Sequence, residues 1–190
     1  MLLKRKQKVG QAQYATSAEF CRIFENEMKP LYLLAFLLTA RHAQAERCFV
    51  GGLEDSGKGN SIFRDWARAW ARRMIIKNAI RIMSPVSGRG FGACESWDPD
   101  GKQSDASLAI DAVVQLPTLE RFEFVMSVLE RYPVHECALL LGGAPEEIAE
   151  ARVDALMHLT VHRPGLQPIA DLEVTRPLNF LGQTPTAISA

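Results

Sequence analysis

The sequence lacks a surplus of charge of either sign. Its 22 Lys and Arg are matched by 22 Asp and Glu over 190 residues, a formal net charge of zero. That excludes a uniformly basic nucleic-acid coat, so any contact with a polyanion must come from local segregation of charge. Long apolar runs are missing too. The longest, Leu31 to Ala40, has ten residues, well short of the about 20 that cross a bilayer. It reads as a buried helix, and no membrane insertion is expected. The basic start at Lys4, Arg5, Lys6 and Lys8 is not followed by an apolar stretch, so a secretory signal is excluded and a cytoplasmic chain is expected. The cysteines, Cys21, Cys48, Cys94 and Cys137, form no C-x-x-C pair and read as small apolar fillers. His158 and His162 stand at helical ligand spacing but have no third ligand near in sequence, so no metal site is expected. No Ser, Cys or carboxylate sits at a recognisable catalytic spacing with a histidine. The sequence predicts neither an enzyme nor a cofactor.

What is present is a hydrophobic fraction of 47%, enough for a packed core, arranged with helical periodicity in two stretches. The first spans 16–83. Thr16 and Glu19 stand at capping-box spacing. Phe20, Ile23, Phe24, Leu31, Leu34, Ala35 and Leu38 then recur at three and four, and Pro30 kinks or restarts the helix. Ala43 to Val50 reads as a second helix and Gly51 to Asn60 as a glycine-rich loop. Asn60 or Ser61 is placed to cap a third helix, Ile62 to Met83. Residues 84–107, with Pro85, Pro99 and four glycines, read as a flexible linker.

The second stretch spans 108–162. Asp111 to Leu116 leads to Pro117 and Thr118, which open a helix through Arg131. Val134 to Leu141 ends at Gly142 and Gly143, and Pro145 opens a last helix from Glu146 to about His162. A Pro-punctuated tail occupies 163–190. Strands have little support anywhere. The fold class is all-α: two small helical domains on a flexible joint.

The loop Gly52 to Lys58 nearly spells a phosphate-binding loop, but Gly59 stands where a Ser or Thr must hold magnesium. Two acids inside the loop oppose phosphate as well. A plain helix–helix connection is the better reading.

The segment 62–83 is the most informative. It carries Arg64, Arg68, Arg72, Arg73, Lys77 and Arg81 against the single acid Asp65. On a helix, Arg64, Arg68 and Arg72 form one stripe. Trp66, Trp70, Arg73 and Lys77 fall in another sector, and Ala69, Ile76 and Ile80 form an apolar stripe for a core. Cationic side chains neutralise phosphates, and an exposed indole stacks on an unpaired base. The combination fits single-stranded or melted nucleic acid. The alternative is a solvated basic face with both tryptophans in the core.

Residues 132–159 have the layout of a helix-turn-helix. Cys137, Ala138, Leu140 and Leu141 line one side, Gly142 and Gly143 the turn, and Ile148, Ala151, Ala155, Leu156 and Leu159 the second helix. From Leu116 to Arg163 there are four arginines against eight acids. Glu146, Glu147 and Glu150 suit the helix dipole but oppose DNA, leaving Arg152 as the cation of that helix.

Taken in order, these segments resemble bacterial sigma factors of the extracytoplasmic-function type, a branch of the sigma-70 family. The resemblance covers about Phe20 to Leu159. It is carried by Pro30-Leu31-Tyr32-Leu33-Leu34-Ala35, Leu38-Thr39 and Ala45-Glu46, then Asn78-Ala79-Ile80, Leu116-Pro117, Leu139 to Gly142 and Ala155-Leu156. It implies a region two-like domain at 16–83 and a region four-like domain at 108–162. It further implies transcription initiation through core RNA polymerase and promoter DNA, with no catalysis. Arg64, Trp66, Arg68, Trp70, Arg72, Arg73, Lys77, Asn78, Arg81 and Arg152 become the expected DNA contacts, and Glu46, Arg47 and Phe49 the expected polymerase contacts. The alternative is a sigma-like protein-interaction regulator, an adaptor or decoy binding an anti-sigma partner, with weak or no DNA binding.

Overall fold

The computed structural model describes residues 13–58, 61–86, 94–97 and 104–161. The described residues are helical, with no strand beyond one isolated antiparallel bridge between Tyr14 and Phe63. None of the described helices is long and apolar enough to cross a membrane. The N-terminal basic cluster, Asn60, most of the expected linker, His162 and the tail lie outside the described residues.

Helix α1 is Ser17–Asn26, opened by the expected capping box: Glu19 N–H donates to Thr16 Oγ1, and Thr16 N–H donates to Glu19 Oε2 at 2.8 Å. Glu27 ends it and begins α2, Met28–Thr39. Pro30 lies in the first turn of α2, where its missing N–H costs little. Leu31, Leu34, Ala35, Phe36, Leu37, Leu38 and Thr39 are all buried and Tyr32 and Leu33 half-buried, so this helix has no fully solvated residue along that stretch. That is why its sequence is an unbroken apolar run.

Helix α3, His42–Ser56, runs further than the expected Ala43 to Val50. It absorbs Gly51 and Gly52, placed by the sequence in a loop. These glycines mark a close approach of helices. A Cβ on Gly51 would stand 2.7 Å from Asn78 Oδ1, and one on Gly52 would stand 2.6 Å from Ile75 Cδ1. With Gly52 to Ser56 in a helix, the near-phosphate loop has no loop geometry. A 3-10 turn, Arg64–Trp66, then leads into α4, Ala67–Met83. The core side of α4 is Ala67, Ala71, Met74, Ile75, Ile76, Asn78 and Ala79, and Ala69 is exposed. Of the expected stripe, Ile76 is buried and Ile80 packs against the core, and only Ala69 falls outside it.

The second stretch comprises α5, Asp105–Val114, α6, Thr118–Glu123, a π-helical turn Phe124–Leu129, α7, Val134–Leu141, and α8, Pro145–Val161. The expected helix through Arg131 widens at the π turn and stops at Leu129. Arg131 itself is left-handed, with φ 60°. Gly142 closes α7 at φ 74°, a conformation that favours glycine.

The two stretches share one apolar cluster. Phe24, Leu31, Phe36, Leu38 and Ile75 are continuous with Val114, Phe122, Met126 and Ile148. Helix α2 lies at the join, against α3 and α4 on one side and α5, α6 and the π turn on the other. Arg121 ties this join. Its buried guanidinium donates to Leu38 O at 3.3 Å, Val114 O at 3.0 Å and Leu116 O at 2.9 Å. Residues 94–97, inside the expected linker, are anchored as well. Glu95 N–H donates to Ala40 O, His42 N–H donates to Glu95 Oε2, and the Trp97 ring lies 5.0 Å from that of Phe36.

Replacing Gly52 by Ala gains about 1 kcal/mol of helix propensity but overpacks the α3–α4 contact, which typically costs about 1–3 kcal/mol. Urea unfolding is expected to show a net loss of about 1 kcal/mol; a raised midpoint would mean that the α3–α4 contact leaves room for a Cβ at Gly52. Arg121→Met leaves three carbonyls without their charged donor and is expected to lower stability by roughly 3 kcal/mol in the same assay.

Candidate nucleic-acid interface

The basic segment 62–83 folds as the 3-10 turn and α4. Its cations do not all sit alike. Arg64 Nε meets Glu19 Oε1 at 2.7 Å, Arg68 Nε meets Glu27 Oε1 at 3.0 Å, and Arg81 Nη1 meets Asp55 Oδ2 at 3.3 Å. These three pairs lie at the surface, with the Arg68 side chain 76% exposed. Pairs so solvated are worth about 0–1 kcal/mol each. Their arginines remain able to exchange a carboxylate for a phosphate.

Arg72 and Arg73 are held differently. Arg72 grips Glu130 through Nε at 2.7 Å and through Nη2, and the Glu130 side chain is only 9% exposed. Arg73 pairs with Glu136 and lies over the Tyr132 ring, 5.9 Å from its centroid. Both guanidinium groups are pushed above their ordinary value, first by the hydrogen bond to the facing carboxylate. The two pairs latch α4 onto the π turn and α7. A groove of about 470 Å³ runs along this latch, lined among others by Ala69, Arg72, Glu130, Tyr132 and Glu136. Lys77 is exposed and makes no ion pair among the described residues.

The tryptophans divide. Trp66 is 65% exposed, propped edge-on by Phe63 at 5.5 Å and flanked in sequence by Arg64 and Arg68. Trp70 is half-buried, and its Nε1 is buried without an acceptor among the described residues. Asn78 is a core residue: its amide donates to Met74 O at 2.9 Å and Asp55 Oδ2 at 3.0 Å and accepts from Arg81. This hydrogen bond from Asn78 is the first cause holding the Asp55 carboxyl below its ordinary range, with Lys58 and Arg81 adding to it. Arg152 is half-buried on α8, where its charge acts on Glu123. Asn78 and Arg152 therefore face inward chemistry rather than an open surface. On α3, Glu46 and Arg47 are exposed, whereas Phe49 packs edge-on to Phe24 at 5.1 Å.

Two features carried no signal along the chain. The latch pairs join residues 58 and 63 positions apart, beyond any local spacing rule. Glu123, one acid among many in the sequence, is completely buried. Burial pushes its carboxyl above the ordinary 4.5, and Cys137, Ser127 and Arg152 only partly offset that. The Cys137 thiol, buried beside it, is pushed up to about 12.

Searches against protein-family models and against curated proteins find no match to the chain.

The Glu123 environment makes stability depend on pH in a defined direction. The unfolded chain ionises this group near its ordinary 4.5 and the folded chain only at higher pH. Its contribution is therefore most favourable below 4.5 and declines as pH rises through the folded value. Glu123→Gln keeps the shape and removes the ionisation. Urea midpoints measured between about pH 4 and pH 8 are expected to be higher for the variant at neutral pH and to slope less steeply.

Proposed function

We propose that the chain is a sigma-like transcription initiation factor that binds core RNA polymerase and promoter DNA, with the 3-10 turn and α4 as its DNA-contacting element. The observation that carries this reading is the open indole of Trp66 beside the exposed cations Arg64 and Arg68. A flat aromatic face among exchangeable arginines is what an unpaired base and its phosphates require. Lys77 and Arg81 extend the cationic surface along α4. The α7–Gly142–α8 unit supplies the helix-turn-helix layout, and Glu46 and Arg47 on α3 are the open residues of the expected polymerase contact. The proposal draws on the resemblance for the identity of the polymerase and on the side-chain arrangement for the site on α4.

One observation favours a second reading. Five arginines of the 3-10 turn and α4 are ion-paired within the chain, and two of them form the inner latch. A sigma-like adaptor or decoy that binds an anti-sigma protein needs no free cationic surface and fits such self-neutralisation.

Polymerase pull-down and single-stranded DNA titration separate the two. For the initiation factor, core polymerase is retained at low salt, and Trp66→Ala weakens single-strand binding by about 5- to 150-fold, the equivalent of about 1–3 kcal/mol per stacked base. Lys77→Ala lowers the salt slope by about 0.7, one phosphate contact. Both residues are exposed, so neither change should shift the unfolding midpoint by more than about 0.5 kcal/mol. Absence of polymerase association together with salt-independent, Trp66-independent DNA binding would leave the adaptor reading in its place.

A further inference from the structure

Helix α8 is apolar on two opposite sides. Its inner side, Ile148, Ala151 and Ala155, is buried, with α8 packed against α6, α7 and the π turn. At about 100° per residue the opposite side gathers Ala149, Val153, Leu156, Met157 and Val161. The sequence places Leu156 with the core, but it is 41% exposed; Val153 is 55%, Met157 59% and Val161 74% exposed. A helix on the surface of a folded chain ordinarily turns a polar face outward. Here acids line one edge of the ridge, while the half-buried cation Arg152 and the exposed Thr160 stand on the other, in the row of Leu156. Glu146, Glu147, Glu150 and Asp154 are all exposed, and none makes an ion pair among the described residues. A shallow depression between Ala149, Glu150, Val153 and Asp154 holds about 360 Å³.

We propose that this outer face of α8, the ridge of Val153, Leu156, Met157 and Val161 edged by Glu146, Glu150 and Asp154, docks a basic amphipathic helix of a partner protein. The apolar ridge supplies the area, and the acids decide the occupant. Nucleic acid is repelled by an unpaired acidic edge, and an anionic lipid surface is repelled for the same reason. A second copy docking through the same face in a two-fold contact would bring its own acids against these. A helix with leucines at three and four and lysines or arginines alongside matches both parts. The ridge residues recur at the helical three-to-four spacing from Val153 to Val161, so the partner helix would run along α8 for about two turns. The face lies on a different helix from Trp66 and Lys77, so the proposal goes beyond the DNA-contact reading of α4.

The test uses the full chain and two synthetic peptides of about 18 residues that share leucine positions. One carries lysines beside the leucines, the other glutamates. Isothermal titration is expected to show the lysine peptide binding and the glutamate peptide not. Raising salt from about 0.05 to 0.3 M should weaken binding severalfold. Glu150→Lys with Asp154→Lys, both exposed, should weaken it by about tenfold or more, and so should Val153→Ser with Met157→Ser, the charge-neutral pair leaving single-stranded DNA binding through α4 unchanged. Three results overturn the proposal: no binding of the lysine peptide, equal binding of both peptides, or a dimer in sedimentation that Met157→Lys dissolves. Failure of the α4 reading would appear instead as Trp66-independent DNA titrations, with the peptide results unaffected.

Discussion

Helix α2 buries seven of its nine residues over Leu31–Thr39, with Tyr32 and Leu33 half-buried, and this constraint organises the rest. A helix with so little solvated surface must be enclosed. The first stretch alone supplies α3 and α4 against one side of it. The other side is closed by α5, α6 and the π turn from the second stretch. The C-terminal carbonyl of Leu38 then lies out of reach of water, and Arg121 satisfies it from the second stretch together with Val114 and Leu116. A charge buried among carbonyls rather than beside a carboxylate is tolerable because a guanidinium has five donors in a fixed fork. The apolar enclosure and the Arg121 clamp act on the same join, and together they make one core of what reads as two domains.

Charge is distributed by the same architecture. The chain is neutral overall, yet its cations crowd α4 and its acids crowd the second stretch. Packing the stretches together lets Glu130 and Glu136 face Arg72 and Arg73. Of the inner pairs, Arg72–Glu130 is the drier and is bidentate, whereas Arg73–Glu136 stays partly solvated and is supported by the Tyr132 ring. The outer pairs of Arg64, Arg68 and Arg81 stay solvated and weak. Helix α4 thus has an inner row of cations committed to the fold and an outer row, with Trp66 and Lys77, that remains chemically available. The proposed DNA contact belongs to the outer row alone.

The acids of the second stretch that do not face α4 lie on α5, α6 and α8, four of them on α8. Glu123, turned inward on α6, has a carboxyl that burial raises above its ordinary range, with Cys137, Ser127 and Arg152 offsetting this only in part. Glu146, Glu147, Glu150 and Asp154, turned outward, border an apolar ridge with no cover among the described residues. Acid at the start of a helix favours the helix itself, so the first turn of α8 is locally stable whatever occupies its outer face. The same charges set the sign of any partner.

Much of the local structure is legible in the residues. The capping box at Thr16, the restart near Pro30, the turn at Gly142 and the entry of α8 at Pro145 follow from side-chain hydrogen bonding, the fixed φ of proline and the left-handed freedom of glycine. These are short-range causes, readable within a few positions. The concentration of cations on 62–83 is equally plain. What a linear reading misplaces is whatever depends on a neighbour distant along the chain. Gly51 and Gly52 look like a loop until Asn78 and Ile75 are brought against them, and then the missing Cβ is what lets α3 and α4 approach. The tryptophans are alike in sequence, yet Trp66 is open and Trp70 half-covered. Asn78 sits amid the cations but is spent on Asp55 and Met74. Composition and periodicity alone settle that the chain is helical, neutral and cored, because those properties sum over residues. Which arginines are latched, which indole is open and which face of α8 is bare were decided only by tertiary contacts, because burial and ion pairing depend on distances that sequence separations of 58 and 63 residues do not encode.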